Sequence, residues 1–147
     1  MLTKINITLG VVSLFILDRL GKYLTLLLPE GEFFKWQQIF SWEKNFNDGI
    51  AFSIPLPNIL SVILSFLIII VLLDILLVKF QSSQPTTIIA LQLIIAGAIS
   101  NFIDRLIWGQ VIDYWLLLFF PIFNLADLLI ITGALLLIFS LLRHNKI

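Results

Sequence analysis

The sequence contains no cysteine and only one histidine, His144, which lies three residues from the C-terminus. The absence of cysteine excludes disulfides, thiolate nucleophiles, cysteine-based zinc sites and iron–sulfur clusters. One histidine near the end of the chain cannot supply a Ser–His–Asp triad or a histidine-rich metal site. A metal held by carboxylates alone is the remaining metal alternative. We therefore expect a protein with no metal and no cofactor.

Charged residues are also scarce. They make up 12% of the 147 residues, whereas 60% are hydrophobic, and the mean hydropathy is +1.08. This composition is typical of membrane proteins and lies outside the range of soluble ones. The formal net charge is +0, which gives no reason to expect nucleic acid or another polyanion as a partner.

Four apolar runs are each long enough to cross a hydrocarbon core of about 30 Å as a helix, which takes about 20 residues. They cover about residues 5–28, 59–78, 88–107 and 125–142. The sequence therefore predicts an all-α membrane protein with four transmembrane helices, forming a single integral membrane domain over residues 1–147. The first run contains LDRLGK and no small-residue cleavage site follows it, so we interpret it as a retained span and not as a signal peptide.

The distribution of basic residues and tryptophans predicts the orientation in the membrane. The predicted outer loops are about residues 29–58 and 108–124. The first outer loop holds two lysines, Lys35 and Lys44, whereas the inner side holds Lys4, Lys79, Arg143 and Lys146. This bias favours both termini in the cytoplasm. All four tryptophans fall in the two outer segments, as expected for an interfacial aromatic belt.

The first outer loop alternates aromatic and polar residues in EFFKWQQIFSWEKNF and then contains NDG. Such alternation suits a half-buried sheet, and NDG is a strong turn signal. We therefore expect a small β element at the level of the lipid headgroups on the periplasmic or extracellular side.

Charged residues within the predicted spans call for an explanation, because each raises the free energy of membrane insertion by about 2.5–3.5 kcal/mol at a helix centre. In the first span, Asp18 precedes Lys22 by four residues, the order that favours an ion pair. In the third span, Asn101, Asp104 and Arg105 share one helix face near the outer end. The structural alternative is that these residues form local ion pairs, Asp18 with Lys22 and Asp104 with Arg105, that pack or cap the bundle.

Asp113 and Asp127 differ from these residues because no cation lies near them in sequence. Asp113 follows the end of the third span and Asp127 opens the fourth, so both should lie near the outer boundary of the bilayer. The segment between them, YWLLLFFPIFN, is apolar enough to dip into the membrane. Two carboxylates brought together there would share one proton and form an acid–base dyad. The alternative is two unrelated interfacial aspartates, one of them capping the fourth helix.

Five motifs occur along the chain in a fixed order: DRLGK, then NDGIAFS with Asn47, Gly49, Ala51 and Phe52, then GAISNFIDRL, GQVIDY and FNLADLLI. In order and setting they resemble the motifs of the lipoprotein signal peptidase family, also called signal peptidase II. The resemblance covers essentially the whole chain, from the first span to the fourth. Each motif alone is weak, whereas five in this order on four spans are specific.

This resemblance implies an intramembrane aspartic endopeptidase of the bacterial cytoplasmic (inner) membrane. Such an enzyme removes the signal peptide from prolipoproteins already carrying a diacylglyceryl group, by cleaving N-terminal to the lipidated cysteine. The resemblance implies Asp113 and Asp127 as the catalytic pair, an active site near the outer leaflet, and a small β cradle on the outer surface. The supporting or substrate-binding residues that it implies are Asn47, Asn101, Asp104, Arg105, Asn124, Asp18 and Lys22. The expected partners are lipidated signal peptides and membrane lipid, with no nucleic acid, and we expect a monomer.

Two features depart from the family pattern. Ser100 stands where a glycine commonly precedes the asparagine of the third-span motif, and the segment 114–123 is shorter than usual. Serine is small enough for close helix approach, whereas the short segment affects the shape of the pocket.

The alternative functions are a small transporter or channel subunit, and a membrane assembly factor. A transporter would spread polar residues through the depth of the bilayer, whereas here they concentrate toward the outer half; an assembly factor would need no dyad.

Overall fold

The computed structural model describes residues 2–29, 32–37, 39–49, 56–80, 84–118 and 120–144. Within these ranges four helices and three strands follow one another in the order α1, β1, β2, α2, α3, β3, α4. The helices are α1 (Leu2–Leu27), α2 (Asn58–Lys79), α3 (Pro85–Trp108) and α4 (Leu125–His144). The strands are β1 (Glu32–Trp36), β2 (Phe40–Asn47) and β3 (Val111–Leu117). A helix therefore lies at each of the four predicted apolar runs.

Three helices of the described part of the chain are long and apolar enough to cross a membrane. They are α2, α3 and α4 as far as Arg143, with mean hydropathies of 3.1, 1.8 and 2.5. Helix α1 has 26 residues, but its apolar run is interrupted by Asp18, Arg19 and Lys22. The prediction of membrane spans is thus supported by length and composition for three helices, and for α1 it stays a prediction.

Helix α3 lies at the centre of the bundle and packs against the other three helices. Its contact with α4 is close because two glycines leave room for backbone. A Cβ on Gly97 would lie 2.4 Å from the carbonyl oxygen of Ala126, and one on Gly133 would lie 2.7 Å from that of Ala90. Small residues allow helices to approach in this way. The first turn of α4 therefore contacts α3 at Gly97, which lies one helical turn before Asn101.

The three strands form an antiparallel sheet in the order β1, β2, β3. In the β2–β3 pair, Asn45 is opposite Asp113 and Asn47 is opposite Val111. Strands β1 and β2 confirm the β element predicted in the first outer loop. The third strand was missed, because residues 108–124 were treated as a loop. Both faces of β3 are covered along its first four residues, all of which are buried, so its sequence lacks the alternation that marks a half-exposed strand.

Candidate active site

Asp113 reaches the site from the middle of β3. Gly109 caps the C-terminus of α3, because its positive φ of 75° allows its N–H to bond the carbonyl oxygen of Arg105, and β3 begins two residues later. The Asp113 side chain is buried. Its Oδ1 accepts a hydrogen bond from Asn124 Nδ2 at 2.6 Å, and its Oδ2 accepts one from Asn47 Nδ2 at 2.9 Å. Asn47 comes from the end of β2, diagonally across the strand pair.

Asp127 is held in the first turn of α4 by a reciprocal cap. Asn124 Oδ1 accepts a hydrogen bond from the Asp127 N–H at 2.9 Å, and Asp127 Oδ2 accepts one from the Asn124 N–H at 3.2 Å. This exchange is the capping-box arrangement of helix N-termini. The other oxygen, Oδ1, accepts from Asn101 Nδ2 of α3 at 2.8 Å. The cap of α4 is therefore Asn124. The alternative, in which an aspartate caps this helix, was wrong in this respect, since Asp127 is the partner of the cap and also bonds α3.

Asn124 joins the two carboxylates, because its side-chain nitrogen bonds Asp113 and its backbone nitrogen bonds Asp127. It is fully buried, and its Nδ2 also lies 3.3 Å from both Asn101 Oδ1 and the Ile112 carbonyl oxygen. Within the described ranges, neither Asp113 nor Asp127 forms an ion pair. The site thus brings together the two aspartates that lack cations nearby in sequence.

Burial, and after it the negative charge of Asp127, raises the pKa of Asp113 to about 7. The hydrogen bonds from Asn47 and Asn124 and the charge of Lys22 act in the opposite direction, because they stabilise the carboxylate. A carboxyl group with this pKa gains and loses its proton near neutral pH, which is the property required of a general acid or base.

A cluster of four charged side chains lies beside Asp113 and Asp127. Lys22 Nζ is 3.2 Å from Asp18 Oδ2 and 2.7 Å from Asp104 Oδ2, and Arg19 NH1 is 2.5 Å from Asp104 Oδ1. Two cations balance two anions, which lowers the cost of burying them. The predicted Asp18–Lys22 pair is confirmed. The alternative pairing of Asp104 with Arg105 was wrong, since Asp104 pairs with the cations of α1.

The charge cluster fixes the orientation of Asn101. Lys22 Nζ donates to Asn101 Oδ1 at 2.8 Å, so the amide nitrogen faces the other way, toward Asp127. The cluster also contacts β3, because Asp104 Oδ2 accepts a hydrogen bond from the Ile112 N–H at 3.3 Å. Asn101 and Asp104 were both predicted from the third-span motif. Asn101 connects the charge cluster to Asp127 of α4, and Asp104 connects it to β3, which carries Asp113.

Arg105 and Asn47 hold the turn that follows β2. Arg105 NH2 donates to the Gly49 carbonyl oxygen at 3.1 Å, and the Gly49 N–H donates to Asn47 Oδ1 at 3.0 Å. Of the predicted residues, Asn47, Asn101 and Asn124 contact an aspartate directly, whereas Asp18, Lys22 and Asp104 act at one remove and Arg105 contacts the turn. Two further motif residues, Ala51 and Phe52, lie outside the described residues.

Sequence reasoning missed the contacts of three residues. Arg19 joins the charge cluster. The hydroxyl groups of Tyr114 and Ser100 each donate a hydrogen bond to Asp18. Ser100 was noted only as a departure from the family pattern. Each of the three adjoins a predicted motif residue, but their partners are 82 to 96 residues away. Gly21, the glycine of DRLGK, leaves room for the Tyr114 ring, since a Cβ on Gly21 would lie 3.0 Å from the phenol oxygen.

Two carboxylates held together in this way can supply an acid and a base. Among the residues that the structure describes, no three His, Asp or Glu side chains are grouped so that they could hold a metal ion.

Comparison with known proteins identifies relatives over most of the chain. The family model described as signal peptidase (SPase) II matches residues 10–143. A lipoprotein signal peptidase of Chlamydia pneumoniae is 35% identical, with 99% of this chain and 96% of the relative covered. One of Brevibacillus brevis is 33% identical, with 88% and 90% covered, and one of Pseudomonas aeruginosa (strain UCBPP-PA14) is 32% identical, with 92% and 86% covered.

Two solved structures have a similar fold. One is described as a bacterial membrane enzyme solved by the in meso method at 2.3 Å resolution. It superposes with a TM-score of 0.82 at 29% identity, covering 99% of this chain and 91% of that one. The second, solved at 1.9 Å resolution, has a TM-score of 0.76 at 30% identity, with 97% and 94% covered.

Proposed function

The chain belongs to the signal peptidase II family, and we propose that it is an aspartic endopeptidase that removes signal peptides from diacylglyceryl-modified prolipoproteins. Asp113 and Asp127 are its catalytic pair. The observation that carries this proposal is the bridging of both carboxylates by Asn124, through Nδ2 to Asp113 at 2.6 Å and through its N–H to Asp127 at 3.2 Å.

In the proposed reaction, one carboxylate removes a proton from a water molecule, which attacks the carbonyl carbon of the scissile peptide bond. The other, protonated carboxyl group donates to the carbonyl oxygen. The tetrahedral gem-diol then collapses. One of its hydroxyl groups returns a proton to the carboxylate that had acted as donor, the C–N bond breaks, and the leaving amine takes up the proton that the base had removed from water. The pKa of about 7 at Asp113 supports Asp113 as the proton donor and Asp127 as the base, a division of roles typical of paired carboxylates.

The supporting residues have two roles in this proposal. Asn101 and Asn124 orient the carboxylates, and the buried charges of Asp18, Lys22 and Asp104 keep Asn101 and β3 in place. Asn47 and Arg105 border the pair at the turn after β2, and we assign them to substrate binding. Arg105 suits this role because its planar guanidinium carries five N–H donors. Among the described residues, its NH2 donates to the Gly49 carbonyl oxygen.

The proposed enzyme is a multi-pass membrane protein with one domain that acts as a monomer. In it, α1 crosses the membrane in addition to α2, α3 and α4, which makes four spans. Both termini face the cytoplasm and the catalytic pair lies near the outer leaflet. The apolar character of α2, α3 and α4 supports it. So does the distribution of tryptophan, because Trp36, Trp42 and Trp115 lie in the sheet and Trp108 ends α3, as an aromatic belt at one membrane boundary requires.

The test is cleavage of a lipidated prolipoprotein by the purified protein in bilayers, with the product identified by mass spectrometry. Asp113→Asn and Asp127→Asn should each lower kcat by at least about 1,000-fold, since paired catalytic groups act as a unit. Asp74→Asn is the matched control, because Asp74 is exposed on α2 and should retain full activity. Parent-like cleavage by either of the first two variants would overturn the proposal.

A further inference from the structure

Two buried hydroxyl groups converge on the carboxylate of Asp18. Ser100 Oγ donates to Asp18 Oδ2 at 2.5 Å, and the Tyr114 hydroxyl donates to Asp18 Oδ1 at 3.1 Å. Ser100 is 0% exposed and Tyr114 is 1% exposed. We propose that Ser100 and Tyr114 are positioning residues that hold Asp127 in place through Asp18, an inference that rests on the proposed function.

The link to Asp127 is the first turn of α4, whose N–H groups have no partner within the helix. The Leu125 N–H donates to the Tyr114 hydroxyl at 3.1 Å, and the Ala126 N–H donates to Asp18 Oδ1 at 3.0 Å. These are the two amides immediately before Asp127, whose own N–H is capped by Asn124. Loss of either acceptor would leave a buried N–H unsatisfied and free the start of α4 to shift.

Ser100 is suited to fix the second oxygen of Asp18 because its hydroxyl has one hydrogen to donate and two lone pairs to accept with. Lys22 Nζ lies 3.4 Å and Arg19 NH1 3.2 Å from Ser100 Oγ. Both cations can only donate, so they occupy the lone pairs, and the single hydroxyl hydrogen is directed to Asp18. Alanine at this position would remove that donor without adding volume.

The ring of Tyr114 is held so that its hydroxyl can reach Asp18. It stacks on Trp42 with ring centroids 5.1 Å apart and an interplanar angle of 21°. Gly21 packs against the phenol end, where a Cβ would lie 3.0 Å from the ring carbon and the hydroxyl. Burial and the charge of Asp18 raise the pKa of Tyr114 above its usual value, so the phenol stays protonated and keeps its hydrogen for Asp18.

The first test is Tyr114→Phe, which removes the hydroxyl and retains the stacked ring. We expect kcat for a lipidated prolipoprotein to fall about 10-fold while KM stays within about twofold, because the change affects Asp127 and no substrate contact. The matched control is Tyr23→Phe. Tyr23 is the only other tyrosine in the sequence, and it is 58% exposed on α1, so its variant should equal the parent in both constants.

Ser100→Ala is the second variant, with Ser13→Ala as its control, since Ser13 is exposed and bonds the Leu9 carbonyl oxygen of its own helix. We expect the same loss in kcat at constant KM. In the double variant with Tyr114→Phe, the loss should be smaller than the product of the single losses, because both hydroxyls act through Asp18. Both single variants are first checked for the parent's thermal transition.

The outcomes separate this inference from the proposed function. If Asp113→Asn is inactive but Tyr114→Phe and Ser100→Ala keep kcat within twofold of the parent, the positioning role is wrong and the catalytic pair stands. A rise in KM at constant kcat would also overturn the positioning role. Full activity of Asp113→Asn would instead overturn the proposed function itself.

Discussion

Three asparagines orient the two carboxylates of the site, and the amide group is suited to this because it accepts and donates at once. Asn47 and Asn124 donate to Asp113, and Asn101 donates to Asp127. Each amide oxygen is occupied by a donor, so its nitrogen must face a carboxylate. The donors are Gly49 N for Asn47, Asp127 N for Asn124 and Lys22 Nζ for Asn101.

Asn124→Ser separates the two functions of Asn124. Serine is as good an N-cap as asparagine, so the variant should keep the cap on α4 and unfold within a few degrees of the parent. It has no amide nitrogen for Asp113, however, and we expect kcat to fall about 10-fold or more. Measurements of the thermal transition and of kcat on a lipidated precursor test this. A variant that keeps both the parent's thermal transition and its kcat would show that Asn124 is only a cap.

The pH dependence of cleavage follows from the raised pKa of Asp113. A carboxyl group with a pKa of about 7 is protonated below that pH and can serve as the proton donor, and it is ionised above it. We therefore expect kcat/KM to fall above about pH 7, approaching tenfold per pH unit, because the donor is lost. A profile between pH 5 and 9 with a short lipidated peptide measures this. Activity that rises steadily to pH 9 would contradict it.

At the scale of the elements, the site depends on how closely α4 approaches α3. Gly97 and Gly133 leave space for the Ala126 and Ala90 carbonyl groups, and this contact carries Asp127 to Asn101. The sheet supplies the other half, since β3 bears Asp113 and is paired to β2, which bears Asn47. The proposed catalytic pair therefore lies at the junction of a helix N-terminus and a strand.

Gly97→Ala tests the helix contact. Its Cβ would lie 2.4 Å from the Ala126 carbonyl oxygen and 2.8 Å from Ile130 Cγ1, so α4 must move away. Overpacking of this kind typically costs about 1–3 kcal/mol, and we expect a lower thermal transition together with at least a tenfold loss of kcat. Gly10→Ala is the matched control, because a Cβ there meets nothing within 4 Å. Equal behaviour of the two variants would refute the role assigned to Gly97.

The sequence predicted the helices well and the sheet in part, for physical reasons. Long apolar runs determine the helices to within a few residues, as in the predicted 59–78 and the observed Asn58–Lys79. The i, i+4 pair of Asp18 and Lys22 is local and was predicted. The contact of Asp104 with Arg19 joins residues 85 apart, and β3 is buried on both faces, so neither leaves a periodic signal. The motif resemblance indicated which residues belong to the site, but not which atoms meet.

At the scale of the whole molecule, apolar side chains dominate the outer faces of the helices. Large hydrophobic residues are exposed along α1, α2 and α4, among them Leu9, Ile68 and Leu135 at 60%, 54% and 63%. Such surfaces are suited to contact with lipid acyl chains. Under the proposed function, the two acyl chains of the substrate remain in the same environment while its scissile bond reaches Asp113 and Asp127.

Lipidation of the substrate should therefore be close to obligatory. Each buried CH₂ contributes about 0.8 kcal/mol, so partial loss of two acyl chains outweighs several hydrogen bonds. We expect a precursor without its diacylglyceryl group to be cleaved at least about 100-fold more slowly, when both forms are compared at equal membrane-bound concentration. Matching that concentration separates recognition from partitioning. Equal rates would show that the enzyme does not recognise the lipid.

The central claim is that Asp113 and Asp127 form one catalytic unit, and the most direct measurement compares the two single asparagine variants with the double variant. Groups that act as a unit give strongly non-additive losses. The account predicts that Asp113→Asn/Asp127→Asn cleaves a lipidated prolipoprotein at the same residual rate as either single variant. Independent losses that multiply in the double variant, or a single variant with the parent's rate, would contradict it.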